Sequence, residues 1–282
     1  MIIDGKKIAD TILKEVEQKI RSHKNRTPGL VFILVGDNPA SKTYVNMKKR
    51  TCEILNMYSK IIHLPKNTSQ EKVISTIDEL NADAKVDGIL VQLPLPNHID
   101  PIAITTRINP NKDVDGFNPI NLGKLLMGDI SGFIPCTPLG IQILLEKSKI
   151  PVEGKHVVII GRSNIVGKPL AALLMQKRNG CNATVTIAHS LSKNLASITQ
   201  TADILIAAIG KPKFITADMV KKNSVVIDVG MNYEQERLVG DVDFDKVKAI
   251  ASHITPVPKG VGPMTIACLM KNTLKSFEAH QA

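Results

Sequence analysis

The sequence predicts an α/β protein in which parallel strands alternate with helices. The first observation is a set of short, unbroken apolar runs, such as those at 30–35 and 88–91, of the kind that strands buried on both faces require. The second is the recurrence of isoleucine or valine every four positions from Ile8 to Ile20, which forms one stripe along a helix. The same alternation begins again near residue 156. The chain has 282 residues, so we expect either two modest domains or one large one.

Cap residues indicate the helix starts in the first half. Ser41 is a good N-cap for a helix that follows the first strand, and Thr68 with Glu71 forms a capping-box pair. Proline marks two further starts, where its missing amide hydrogen costs little. The predicted elements are, in order, a helix at 8–20, a strand at 30–35, a helix at 41–56, a strand at 59–64, a helix at 68–80, a strand at 88–93, and helix starts at Pro101 and at Thr137-Pro138.

The second half repeats the alternation and predicts a second βαβ domain. Strands are expected at 156–160, 183–188, 204–209 and 225–229. We place the linker between Asn118 and Pro138, and expect a final helix at 265–277 to pack back on the first domain. The predicted boundaries are therefore 1–137 with 266–282 for the first domain and 138–265 for the second.

The charge and composition narrow the classes of function. A net charge of +10 would suit a protein that binds nucleic acid by neutralising phosphates. The basic residues are scattered, however, with Lys48-Lys49-Arg50 as the compact exception, and aromatic residues that could stack on bases make up 3% of the chain. A positive field that attracts small polyanions, such as dinucleotides or glutamate-tailed substrates, accounts for the charge at least as well.

Other features argue against membrane, zinc and disulfide-rich classes. The longest apolar runs fall far short of the roughly 20 residues of a membrane-spanning helix. The start carries Asp4 and no continuous apolar stretch, so we expect no signal peptide and a cytosolic protein. The cysteines form no C-x-x-C pair, which predicts reduced, mostly buried thiols. They are Cys52, Cys136, Cys181 and Cys268.

Candidate binding residues follow the predicted strands, where helix N-termini and loop amides of a parallel sheet converge. Tyr44 and Lys48 are four residues apart and so lie on one face of the predicted helix. A lysine among apolar groups can act as a base, and a neighbouring tyrosine can stack on a flat ligand. Taken alone, such a pair is more often a packed ring beside a solvated cation.

Two further strand ends carry polar residues. Gln92 follows the run at 88–91 and precedes Leu-Pro-Leu-Pro, so its amide could bind a ligand or satisfy loop backbone groups. The loop at 112–116 places Asp113 and Asp115 on alternate residues. This pair could bind a cation, hydrogen bond to the amino-pyrimidine edge of a pterin, or cap a turn.

The loop after the predicted strand at 156–160 has features of a dinucleotide-binding turn. It runs Gly161-Arg-Ser-Asn-Ile-Val-Gly167, and its glycines would let the backbone approach a pyrophosphate at the start of the following helix. Ser163 stands where G-x-G-x-x-G has its second glycine, so a plain tight turn stays open.

Cofactor preference can be inferred from the end of the next strand. The segment Ala188-His-Ser190 offers no carboxylate for a ribose 2′-hydroxyl. Arg162, Ser190 and Lys193 could instead bind a 2′-phosphate, which favours NADP over NAD.

A set of motifs runs through both halves of the chain. The segments are Val35-Gly36 to Ala40-Ser41, Tyr44-Val45, Lys48, Gln92 to Pro96, Lys112 to Gly116, Pro135 to Pro138, Gly161 to Pro169, Ile227 to Gly230, Gly240 to Val242, Thr255 to Pro258 and Val261 to Thr265. In this order they resemble the bifunctional methylenetetrahydrofolate dehydrogenase and methenyltetrahydrofolate cyclohydrolase family over nearly the whole chain. Lys259 departs from the pattern, because the family usually has glycine there, and its side chain could alter the loop or contact anionic groups.

The resemblance implies two α/β domains flanking a cleft, the second a Rossmann-like dinucleotide-binding domain, in a homodimer without a metal. It implies oxidation of 5,10-methylenetetrahydrofolate with NADP and hydrolysis of the methenyl product to 10-formyltetrahydrofolate. Lys48 would be the central catalytic residue, positioned by Gln92. Tyr44 would stack on the folate, and Asp115 would hold the pterin. The further implied contacts are Leu93 and Pro263 for the substrate and, for the cofactor, Gly161, Arg162, Ser163, Ile165, Val166, Ser190, Gly210, Gly230 and Thr265.

Rival interpretations differ in what they require. A different two-domain dehydrogenase would share the second half but would need a first half without the set of Tyr44, Lys48, Gln92 and Asp115. A nucleic-acid-binding protein should bind DNA or RNA with a steep salt dependence. A dehydrogenase of the same family without cyclohydrolase activity would have the same residue types, because rate constants cannot be read from sequence.

Overall fold

The computed structural model describes residues 1–235 and 237–281, and these form two compact units. The first unit contains residues 11–136 and the chain from Ile266 onward, and the second contains residues 1–10 and 137–265. The first ten residues group with the second unit, and the predicted domain boundaries stay a prediction. The reason is backbone pairing, since the amide of Ile3 donates to the carbonyl of Ile254 and that of Lys6 to Lys259.

The first unit is built on a parallel sheet whose strands alternate with helices, as predicted. Its elements are α1 (Gly5–Ser22, which begins in the second unit), β1 (Gly29–Val35), α2 (Pro39–Ile54), β2 (Tyr58–Leu64), α3 (Gln70–Ala82), β3 (Gly88–Val91), α4 (Pro101–Arg107) and α5 (Pro119–Met127). The strand order is β2-β1-β3, and β1 and β3 are buried at every position. The order reverses between β1 and β3, and ligands bind such sheets beyond the carboxyl ends of the strands at this point.

Two helix N-caps differ from the predictions. α2 is capped by Asn38, whose side-chain oxygen accepts a hydrogen bond from the Ser41 amide at 3.0 Å. α3 is capped by Ser69, whose hydroxyl accepts a hydrogen bond from the Lys72 amide, so the predicted cap at Thr68 is wrong. Asn, Ser and Thr have similar capping preferences, and the path of the chain decides which of several neighbouring polar residues caps the helix.

The second unit has the same alternating plan. Its elements are α6 (Cys136–Lys147, whose first residue belongs to the first unit), β4 (His156–Ile160), α7 (Gly167–Leu174), β5 (Thr184–Ala188), α8 (Leu195–Thr199), β6 (Ile204–Ala207), a 3₁₀ turn (Ala217–Met219), β7 (Val225–Asp228), β8 (Asn232–Glu234), β9 (Arg237–Val239), α9 (Phe244–Lys248), β10 (His253–Ile254) and α10 (Val261–Gln281, which continues into the first unit). The parallel sheet has the order β10-β7-β6-β4-β5, and β8 and β9 form an antiparallel hairpin. The order reverses between β4 and β6, as in doubly wound Rossmann-like domains.

The segment predicted to be a linker, residues 118–138, contains helix α5. Asn118 caps this helix by accepting a hydrogen bond from the Ile120 amide, and its own side-chain nitrogen donates to the Ile108 carbonyl at 2.8 Å. The boundary between the compact units falls between Cys136 and Thr137, near the end of the predicted linker. Most of this segment is therefore part of the first unit.

Lys259 has a backbone conformation that favours glycine. Its φ is +82° in the loop before α10, and a side chain in this left-handed region costs roughly 1–2 kcal/mol. We predict that Lys259→Gly raises the free energy of unfolding by about 0.5–1 kcal/mol, because the relief of strain exceeds the entropy that glycine adds to the unfolded chain. Urea unfolding measures this difference.

A matched exchange in a helix provides the control for Lys259. Lys14 lies within α1 and is exposed, so Lys14→Gly should lower the free energy of unfolding by about 1 kcal/mol. Equal losses of stability in both variants would contradict the strain at Lys259.

Candidate active site

The carboxyl ends of β1 and β3 bring Lys48 and Gln92 together. Lys48 lies on α2, which follows β1, and 5% of its surface is exposed. Gln92 directly follows β3, and its Oε1 accepts a hydrogen bond from Lys48 Nζ at 3.0 Å. Its Nε2 donates to the Leu93 carbonyl at 2.7 Å, which fixes the direction of the amide. Gln92 therefore orients the lysine amine.

The carboxylate of Asp115 interacts with the same amine. Burial lowers the pKa of Lys48 below its ordinary value, and the negative charge of Asp115 opposes this shift. Burial also raises the pKa of Asp115, against the positive charge of Lys48 and a hydrogen bond from Cys136. Each group carries its charge less readily than in water, so the neutral amine is accessible closer to neutral pH. Such an amine can remove a proton from water.

The two carboxylates in the loop at 112–116, those of Asp113 and Asp115, have different hydrogen-bond partners. Lys112 is buried and donates to backbone carbonyls at the end of α3. Asp113 accepts hydrogen bonds from the amides of Phe117 and Asn118, so it is the turn cap, and burial raises its pKa to about 7. Asp115 remains as the carboxylate that could hold a ligand. In the described part of the chain, no group of three or more His, Cys, Asp or Glu side chains could hold a metal ion.

Tyr44 lies one helical turn before Lys48, and the two share one side of α2. Lys48 Nζ is 5.5 Å from the centre of the Tyr44 ring. The lysine is buried, so the alternative of a ring beside a solvated cation is excluded. The tyrosine is partly exposed, and a flat ligand could cover its ring. Leu93, the other predicted substrate contact near this strand end, is also partly exposed.

Close backbone approach explains the glycines of the loop between β4 and α7. Gly161 has a φ of +122°, and a Cβ there would lie 2.2 Å from the Ala208 carbonyl oxygen. A Cβ on Gly167 would lie 2.1 Å from the carbonyl oxygen of Gly161. The Ser163 hydroxyl accepts a hydrogen bond from the Val166 amide at 3.1 Å, so a side chain supports the turn in place of a second glycine. The backbone of this loop can therefore come close to a pyrophosphate bound at the N-terminus of α7, where the helix dipole favours negative charge.

The residues predicted to bind a 2′-phosphate follow two neighbouring strands. β4 pairs with β5 so that Ile160 lies opposite Ala188, and the loops after both strands therefore leave the same edge of the sheet. Arg162, Ser190 and Lys193 in these loops are exposed. Cations and hydroxyl groups form strong hydrogen bonds with phosphate, so these three residues fit the 2′-phosphate of NADP.

The comparison with known proteins identifies the family. The family model described as tetrahydrofolate dehydrogenase/cyclohydrolase, catalytic domain, matches residues 3–115, and the one described as the NAD(P)-binding domain matches residues 135–281. The chain belongs to the tetrahydrofolate dehydrogenase/cyclohydrolase family. The resemblance seen in the sequence is confirmed.

Individual relatives match the chain over nearly its whole length. The bifunctional protein FolD of Chlorobium phaeobacteroides is 53% identical over 287 residues, which cover 98% of this chain and 97% of the relative. The crystal structure of the bifunctional enzyme FolD from Campylobacter jejuni has a TM-score of 0.95 and 48% identity over 99% of each chain. The FolD structure from Trypanosoma brucei, complexed with NADP cofactor and inhibitor, has a TM-score of 0.93 and 38% identity, covering 99% of this chain and 97% of that one.

Within this family member, a buried carboxylate to which the sequence assigned no role holds a loop of the second unit. Asp241 is fully buried and accepts hydrogen bonds from the amides of Ile209, Gly210 and Lys211, at 2.6, 3.0 and 2.9 Å. Gly210 is a predicted cofactor contact, and Asp241 therefore positions the loop that contains it. Its membership of the Gly240-Asp-Val242 motif was the available sequence signal.

A second buried carboxylate, Asp228, ends β7. It accepts hydrogen bonds from the amides of Gly230, Asp241 and Val242 at 3.0, 2.9 and 3.0 Å, and burial raises its pKa to about 7. These hydrogen bonds connect the motif at 227–230 with the motif at 240–242. They also fix the position of Gly230, another predicted cofactor contact.

The other predicted contacts of the second unit lie on two elements. Ile165 is exposed and Val166 is partly exposed, immediately before α7. Pro263 and Thr265 lie in the first turns of α10, and Thr265 Oγ1 is 2.9 Å from Thr137 Oγ1. Their contacts with substrate and cofactor stay predictions.

Proposed function

We propose that this chain oxidises 5,10-methylenetetrahydrofolate to 5,10-methenyltetrahydrofolate with NADP and hydrolyses that product to 10-formyltetrahydrofolate. The observation that carries the proposal is the buried Lys48 amine, held by Gln92 and facing Asp115. A different kind of two-domain dehydrogenase has no need of this arrangement beside the Tyr44 ring. The relative named bifunctional protein FolD, at 53% identity, supports the same assignment.

In the hydrolytic step Lys48 removes a proton from the attacking water. The methenyl carbon is cationic, because two nitrogens share its positive charge, and it accepts the water oxygen directly. The neutral amine takes the proton as the C–O bond forms, while Gln92 keeps the amine aimed. The protonated amine can then return that proton to the departing nitrogen as the C–N bond breaks. The hydroxyl of the adduct loses its remaining proton to solvent and becomes the carbonyl of the formyl group on the other nitrogen.

The first unit would orient the folate and the second would bind the cofactor. Asp115 can accept hydrogen bonds from the amino-pyrimidine edge of the pterin, and Tyr44 can stack on the ring system. The nicotinamide of NADP would supply the hydride acceptor for the methylene carbon. The contribution of the chain to this step is orientation, with the Gly161 loop and α7 holding the pyrophosphate and Arg162 the 2′-phosphate.

Hydrolysis of isolated methenyltetrahydrofolate tests the cyclohydrolase activity without a nicotinamide. Catalytic amounts of the protein should accelerate the loss of the methenyl chromophore above the rate in buffer alone. If folded protein leaves that rate unchanged, the cyclohydrolase assignment is wrong and a dehydrogenase without this activity is favoured.

Replacement of Arg162 by alanine tests the cofactor preference. The change removes a charge-assisted hydrogen bond to the 2′-phosphate, so the dissociation constant of NADP should rise by roughly 10–100-fold while that of NAD changes little. Calorimetric titration with each cofactor measures both constants. Lys155 lies just before β4, at the other end of that strand, and Lys155→Ala is the matched loss of charge. Equal weakening of both cofactors in Arg162→Ala would contradict the 2′-phosphate contact.

We also propose a homodimer in the cytoplasm. The dimer is an expectation for members of this family, and sedimentation velocity would measure it. The location is supported by Cys52, Cys136, Cys181 and Cys268, which are free and buried as a reducing compartment allows. In the described part of the chain, no helix is both long and apolar enough to cross a bilayer.

A further inference from the structure

Cys136 is fully buried beside the Asp115 loop and has no part in the chemistry described above. Its Sγ lies 3.3 Å from the Val114 carbonyl oxygen, within hydrogen-bonding distance, and the Asp115 carboxylate is a second acceptor for the same thiol. Asn272 on α10 donates to the same Val114 carbonyl at 2.9 Å and lies 3.7 Å from Cys136 Sγ. The thiol therefore connects the substrate-binding loop with the C-terminal helix.

The thiol has a single proton and two acceptors within reach. A carboxylate is a stronger acceptor than a neutral carbonyl, so ionised Asp115 attracts the proton. The Val114 carbonyl is satisfied without it, because Asn272 Nδ2 already donates there. Burial raises the pKa of Cys136 well above its ordinary value, so the thiol stays a donor through the neutral range.

We propose that Cys136 is a positioning residue that keeps Asp115 ionised and directed at the pterin, a role that rests on the proposed folate function. A carboxyl group in a partly buried site keeps its charge when donors or cations face it. Lys48 is one such partner, but burial weakens its own charge. The thiol adds a donor whose protonation does not change in the same pH range.

The titratable groups around Asp115 come from its own loop and from neighbouring elements. Lys48 on α2 attracts its charge, and Asp113 in the same loop repels it. Cys136 at the start of α6 donates to it, and Cys268 on α10, which interacts with Cys136, has a pKa raised by burial to about 12. Burial and the repulsion by Asp113 raise the pKa of Asp115, and Lys48 and Cys136 lower it. Without the Cys136 donor, Lys48 alone opposes the increase, so the pKa of Asp115 should rise.

The test compares Cys136→Ala with Cys136→Ser in the dehydrogenase reaction. The two side chains have nearly the same size, and serine alone is a donor. In the alanine variant, the acid limb of kcat/KM for methylenetetrahydrofolate against pH should move up by about one unit, which is a loss of about tenfold below the limb. On the alkaline plateau, kcat and KM should stay within about twofold of wild type, because Asp115 is ionised in both proteins. Serine should restore the limb.

A packing role for Cys136 would give a different result. Activity would fall by the same factor at every pH, in the alanine and serine variants alike, and that result or an unshifted limb would overturn the proposal. Cys268→Ala removes a comparable buried thiol and should leave the limb in place. If the alanine variant fails to fold, Cys136→Thr and Cys136→Val allow the same comparison, because they share a shape and threonine alone donates. Wild-type protein that does not turn over the folate would refute the proposed function, and this inference with it.

Discussion

Replacement of Lys48 by methionine should lower the rate of methenyltetrahydrofolate hydrolysis by a factor of about 10²–10⁴, with NADP affinity unchanged. The lysine is buried, and methionine occupies a similar apolar volume without an amine. The variant thus keeps the packing of α2 but lacks the group that takes a proton from water. Decay of the methenyl chromophore gives the rate, and calorimetric titration gives the dissociation constant of NADP.

Lys49 provides the matched control on the same helix. Its side chain is 41% exposed and pairs with Glu53, so Lys49→Met should leave hydrolysis within about twofold of wild type. Retained hydrolysis in Lys48→Met would remove Lys48 from the mechanism. Loss of both hydrolysis and NADP binding would instead indicate a disrupted fold.

Replacement of Asp241 by alanine should lower the free energy of unfolding by about 4 kcal/mol. The carboxylate is fully buried and accepts hydrogen bonds from the amides of Ile209, Gly210 and Lys211. Alanine leaves these donors without their acceptor, and each unsatisfied buried donor costs roughly 1–3 kcal/mol. The loop that contains Gly210 should also lose its position, so NADP should bind more weakly. Urea unfolding gives the stability and calorimetry the affinity.

Asp245 is the control for this change. It is exposed in the first turn of α9, and Asp245→Ala should alter the free energy of unfolding by less than about 0.5 kcal/mol. If Asp241→Ala is as stable as Asp245→Ala, the hydrogen bonds of Asp241 do not hold the loop.

The strands could be predicted because burial on both faces requires unbroken apolar runs. The run at 30–35 covers all of β1 except Gly29, and the run at 204–209 contains β6. Both strands are buried at every position. The second run continues past the end of its strand, since Ala208 and Ile209 are also apolar. Helix caps were harder, because Asn38 and Ser41 are comparable caps on local chemistry, and the path of the chain selected the first.

The candidate site could be predicted only where local spacing was sufficient. Four-residue spacing placed Tyr44 and Lys48 on one helix face, but no local rule brings Gln92, 44 residues further on, to the Lys48 amine. Likewise, Asp113 and Asp115 are equivalent by composition. Asp113 caps the turn because the chain folds back and the amides of Phe117 and Asn118 donate to its carboxylate.

Long-range contacts account for the functional residues that sequence reasoning missed. Asn272 approaches Cys136 across 136 positions, and Asp241 binds amides about 30 residues earlier. Such contacts depend on how helices and loops pack, and periodicity contains no information on them. Cys136 and Asp241 lie in sequence motifs that the family shares, and the sequence therefore marked them as family positions. Their hydrogen-bond partners could be identified only in the structure.

The most direct measurement of the central claim follows one reaction at two wavelengths. Purified protein is mixed with methylenetetrahydrofolate and either NADP or NAD, and reduced nicotinamide and the methenyl chromophore are recorded together, with the loss of methenyl measured without protein as control. If the chain is a bifunctional NADP enzyme, reduced nicotinamide should form faster with NADP than with NAD. The methenyl product should not accumulate, because it is hydrolysed. Folded protein that produces neither signal would contradict the folate assignment, and methenyl that accumulates in step with reduced nicotinamide would contradict the second activity.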